Sequence, residues 1–95
     1  MVAGMAIHYL NDVKAKITSG ASQSAKNHSM SEALAFIFGI QFVTDSPDMS
    51  YVDVMALVSQ IEADVAGFSQ NTMSINAVID QVAAAAGLSD KKDDF

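Results

Sequence analysis

Residues 28–43 read HSMSEALAFIFGIQFV, and this stretch decides the fold because it offers too few polar positions to face water. Met30, Leu34, Ile37 and Phe38 recur at helical spacing, while Ala33, Phe36, Ile40, Phe42 and Val43 fill the other faces. A helix that is apolar nearly all round is normally buried on several sides. The apolar run 33–43 is interrupted by Gln41 and falls well short of the roughly 20 residues needed to cross a bilayer. Neighbouring helices, not lipid, are therefore expected to cover it, as the central helix of the fold.

The start of this helix has two readings. Ser29 followed by Glu32 makes a capping box, in which hydroxyl and carboxylate satisfy orphan amides of the first turn. Asn27 as the N-cap instead places His28 inside the first turn. Only then do His28 and Glu32 stand at i and i+4 on one helical face, within reach of one metal ion.

Outward from this stretch, the apolar pattern keeps its helical period and is interrupted by polar breaks. In residues 2–19, Val2, Ala6, Tyr9, Leu10, Val13 and Ile17 form a stripe at spacings of three and four, which predicts an amphipathic helix. Gly20 is a stop, and GASQSAKN at 20–27 reads as a flexible connection. Residues 44–50, TDSPDMS, carry the one proline, Pro47. There Ser46 caps a third helix with Pro47 at its first position, or Ser50 caps it with Asp53 as box partner. The third helix takes Val54, Val58, Ile61, Val65 and Phe68 as its buried face, and GFSQNT from Gly67 breaks it. A last helix begins after Thr72 or Ser74 and buries Ile75, Val78, Ile79, Val82 and Ala86. Gly87 followed by Leu88 predicts a Schellman stop. The predicted architecture is all-α: a small bundle of four helices arranged as two antiparallel hairpins, forming a single domain over 1–89 with a charged tail at 90–95.

Ninety-five residues, 51% of them hydrophobic, carry more apolar surface than one small domain hides easily, since such a chain buries only about 60 to 65% of its unfolded surface. The expected partners are thus the other helices of a longer parent chain, of which this is a fragment, or a second copy in a homo-oligomer. The formal net charge is −6 with five basic residues; these make no stripe, which argues against nucleic acid as a partner. There is no cysteine, which excludes disulfides, thiolate metal sites and cysteine nucleophiles. The apolar start lacks a basic n-region and does not read as a secretory signal. The serines fall in caps and loops without an evident base, and the methionines, among them Met30, Met49, Met55 and Met73, read as core filler. A non-enzymatic chain is the expectation.

The run HSMSEALAFIFGIQF, with AIHYLNDV before it and two further helices after it, resembles part of the imelysin-like proteins of bacterial cell envelopes, and more narrowly a related helical family of unknown function. The residues that carry the resemblance are His28, Glu32, Ala33, Phe36 and Phe38. Imelysins have a His-x-x-Glu motif, whereas here three residues separate His28 from Glu32. The resemblance implies the periplasm or cell envelope and a scaffold or binding role. It also implies a link to iron uptake, and in some relatives a proposed metallopeptidase activity. Metal ligands on this reading are His28, Glu32 and His8, the last forming a second i, i+4 pair with Asp12. Such nitrogen and oxygen ligands suit zinc or iron. Satisfied core and cap residues are the alternative reading of the same side chains.

Overall fold

A computed structural model describes residues 2–40 and 51–90 of the chain. All secondary structure among them is helical: α1 (Val2–Ser19), α2 (Gln23–Gly39), α3 (Tyr51–Glu62), α4 (Val65–Phe68) and α5 (Thr72–Ala86). Where four helices are expected, the described residues hold five, because the pattern Val54 to Phe68 is split. Asp64 leaves helical geometry at φ −155°, ψ 68°, and its side chain accepts the Gly67 N–H, capping the short α4. An aspartate that can bond the backbone ahead of it competes with continued helix. Apolar spacing does not register that competition.

The connection between α1 and α2 is shorter than expected. Gly20, at φ 74°, ends α1, and Ser22 already caps α2, accepting the Ala25 N–H at 3.1 Å. Neither Asn27 nor Ser29 is the cap, and residues 23–27 are helix rather than flexible connection. The three-residue link returns α2 along α1, and side-chain partners run in opposite directions on the two helices: Lys16 and Asp12 meet Ser29, while Tyr9 stacks on Phe36. The α1–α2 contact is the most extensive among the described helices. α5 packs chiefly on α1, and α3 packs chiefly on α2.

The core is one cluster drawn from four helices. Ala6, Ile7, Leu10 and Val13 of α1 meet Met30, Ala33 and Ile37 of α2, with Ile40 just beyond. Val54, Leu57, Val58 and Ile61 come from α3, and Ile75, Val78, Ile79, Val82 and Ala83 from α5. The α5 stripe lies as the period predicts, with Ala83 replacing the half-buried Ala86 at the core. Its cap is Asn71, whose side chain accepts the Met73 and Ser74 N–H groups. The Schellman stop is present: Gly87 has φ 70°, and Leu88 donates its N–H to the Ala83 carbonyl at 2.8 Å.

α2 departs from its expected all-round burial. One face, Ser29, Met30, Ala33 and Ile37, is buried; Leu34 and Phe36 are half-buried; Ser31, Ala35 and Phe38 are exposed, Phe38 by 43%. A chain this short has too few helices to wrap α2 on every side. Met30 fills the core as expected, but Met73 is 80% exposed. The caps proposed at Ser46 and Ser50, and residues 91–95 of the tail, lie outside the described residues. No helix among the described residues is long and apolar enough to cross a membrane.

Candidate functional site

The helical start at Gln23 puts His28 and Glu32 well inside α2, one turn apart. His28 Nε2 lies 3.9 Å from Glu32 Oε1, with side chains 76% and 42% exposed. The i, i+4 geometry that sequence reading made conditional on an Asn27 cap is thus present with a different cap. His8 is on the exposed side of α1, its ring 5.2 Å from that of Tyr9 and edge-on to it. His8 is not brought to His28 and Glu32: among the described residues no three His, Cys, Asp or Glu side chains converge as metal ligands.

Asp12, the partner expected for His8, feels the charge of His8 as the last of the influences on its carboxyl and is held chiefly by other residues. Its Oδ2 accepts the Ser29 hydroxyl at 2.5 Å and the Lys16 ammonium at 3.0 Å, and Lys16 also donates to Ser29 Oγ at 2.5 Å. The Ser29 hydrogen bond holds the Asp12 carboxyl below the usual carboxylate value; partial burial opposes this and Lys16 reinforces it. A serine touched by lysine and aspartate has the composition of an activated nucleophile. Here it is 1% exposed, donates its proton to a carboxylate and accepts from an ammonium. No substrate atom reaches it, so the triad is a tether between α1 and α2.

A second tether lies at the start of α2. Gln23 Nε2 donates to Asn27 Oδ1 at 2.8 Å and to Ser69 Oγ at 2.6 Å. The fully buried Ser69 donates its one hydroxyl proton to Asn27 Oδ1 or the Ala66 carbonyl, 2.9 and 3.1 Å away. Sequence reading missed both tethers, taking Asn27 and Ser29 for caps. The Asp12–Lys16 pair was legible at i, i+4, but Ser29 is 17 residues from Asp12 and Ser69 is 42 from Asn27. Among the described residues, no buried side-chain nitrogen or oxygen lacks a partner, so no core polar group waits for a ligand.

What α2 leaves uncovered lines an open groove against α3. Ser31, Leu34, Ala35 and Phe38 stand at i, i+3, i+4 and i+7 of α2 and face Val58 and Glu62, one turn apart on α3, around a volume of about 460 Å³. Leucine, alanine, phenylalanine and valine give it an apolar floor, and serine and glutamate mark its polar edge. Among the described residues that line it there is no pair of groups placed for acid–base or nucleophilic chemistry, and what they offer is contact. No protein-family model, curated protein or solved structure matches the chain.

Proposed function

We propose that this chain is a non-enzymatic helical binding module whose working surface is the α2–α3 groove. The observation that carries this reading is the exposed half of α2. A stretch apolar enough to be a central helix leaves Ala35 and Phe38 at the surface, beside half-buried Leu34 and over Val58. Contiguous apolar surface rimmed by polar residues is the usual form of an interaction site. The two polar tethers support it, because they fasten the first half of α2 to α1 and to the end of α4 and so preorganise the face that follows. Membership of a longer imelysin-like envelope protein is supported by resemblance at His28, Glu32, Ala33, Phe36 and Phe38. In such a parent the groove receives another helix.

The test is a screen of small apolar fragments by nuclear magnetic resonance on the labelled chain. Shifts should cluster at Leu34, Ala35 and Val58, and Ala35→Trp, which fills the groove from an exposed position, should remove them. Fragments scattering over the surface, or binding unaltered in Ala35→Trp, would show that the groove is not a binding surface.

A second reading, a zinc or iron site, is favoured by the His28–Glu32 distance alone. A metal-induced rise in Tm that His28→Ala and Glu32→Ala both abolish would support it. Since two exposed ligands leave most of a metal's coordination to water or to a partner, no rise in the wild type removes the reading for this chain.

A further inference from the structure

Charge is divided unevenly between the two halves of the described chain. Residues 2–40 hold Lys14, Lys16 and Lys26 beside Asp12 and Glu32, while residues 51–90 hold Asp53, Glu62, Asp64, Asp80 and Asp90 and no Lys, Arg or His. The α3 wall of the groove therefore stands on the half of the described chain without cations. Glu62 is the sharpest case. It lines the groove and ends α3, where the backbone carbonyls already concentrate negative charge and a carboxylate is disfavoured. No basic residue stands in that last turn to offset it. Asp64, two residues on, has its own task as the α4 cap.

We infer that the groove's partner is a basic amphipathic helix: its apolar side chains enter over Leu34, Ala35 and Val58, and its Lys or Arg side chains meet Glu62 and the carbonyl end of α3. This rests on the binding-module reading and adds the partner's chemistry. The lining runs along two turns of α2, from Ser31 to Phe38, beside one turn of α3, so the groove has the elongated form in which an amphipathic helix lays its apolar face. The open shape suits a chain segment rather than an enclosed small molecule. The net charge of −6 favours a cationic partner over a second copy.

The experiment uses a synthetic peptide of about four helical turns, with leucines at i, i+3, i+4 and i+7 and lysines flanking them, beside a version with glutamates for lysines. Binding to the full chain is read by fluorescence anisotropy. The lysine peptide should bind with a Kd near the micromolar range and at least about tenfold more tightly than the glutamate peptide. Glu62→Lys should weaken it about tenfold, and Asp90→Lys, the same charge change outside the groove, less than about twofold. Ala35→Trp should block it. Equal weakening by Glu62→Lys and Asp90→Lys would reduce the effect to bulk charge and overturn the proposal, as would preference for the glutamate peptide. Self-association of the wild type that Ala35→Trp abolishes would make a second copy the occupant and overturn it too. Fragments that bind the groove while neither peptide does would leave the module standing and remove this partner; failure of both would remove both.

Discussion

Ser29 of α2 donates its hydroxyl to the Asp12 carboxylate of α1 at 2.5 Å, and this bond is the chief reason why Asp12 ionises more readily than a free aspartate. It joins residues on separate helices at the most extensive contact among the described helices.

Removing that hydroxyl should loosen the hairpin without unfolding it. In Ser29→Ala, Asp12 keeps Lys16 and recovers water, being 39% exposed, so the loss is smaller than for a sealed pair. Alanine's better helix propensity offsets part of it. A net cost of about 1 kcal/mol is expected, seen as a Tm lower by about 4 to 8 °C in a domain this small. An unchanged Tm would mean that the hydroxyl contributes nothing to holding α1 on α2.

The same bond sets an acid dependence. Because the folded carboxyl lies below 3.8, its contribution is present above the unfolded value and is lost as pH falls through the folded one. Urea midpoints of the wild type should therefore exceed those of Asp12→Asn by a margin that is constant near neutrality and shrinks at pH below about 4. In the Ser29→Ala background the margin should be smaller at every pH. A margin that does not change with pH would place no folding free energy in the charged form.

Ser69 and Asn27 should be energetically coupled although 42 residues separate them. A double-mutant cycle of Asn27→Ala and Ser69→Ala is expected to return a coupling of about 0.5 to 1 kcal/mol. Amide exchange across 65–69 should quicken in each single variant, since α4 loses its hold on α2. Strict additivity would make the two residues neighbours without a shared role.

Gly67 offers a change of sign. A Cβ there would collide with Asp64 Oδ2, on the very carboxylate that caps α4 through the Gly67 N–H at 3.0 Å. Gly67→Ala should destabilise despite alanine's propensity advantage of about 1 kcal/mol, because it displaces the cap. In an Asp64→Ala background the same substitution should stabilise. Destabilisation in both backgrounds would move the clash to some other neighbour.

One-sided burial of α2 separates two positions on the same helix, Ile37 and Ser31. Ile37→Ala empties a fully buried site and should cost about 2 to 5 kcal/mol. Ser31→Ala, on the exposed groove face, should stay within about 0.5 kcal/mol. Similar costs for both would mean that α2 is enclosed on all sides.

The sequence by itself determined the helical class, the stops at Gly20 and Gly87, and the buried stripe of α5, because each follows from local backbone preference and a period of 3.6 residues. It also contained the His28–Glu32 spacing and the Asp12–Lys16 pair, since i, i+4 neighbours are set by the helix alone. The cap at Ser22, the break at Asp64 and the uncovered face of α2 were decided in three dimensions. Ser22, Asn27 and Ser29 have similar capping chemistry, and the choice among them fell to Ser69 and Asp12, distant partners that make Asn27 and Ser29 more useful inside the helix. The groove has the same origin. Apolar composition shows that α2 needs cover, but how much it receives depends on how many helices reach it, and packing α5 on α1 leaves one face open.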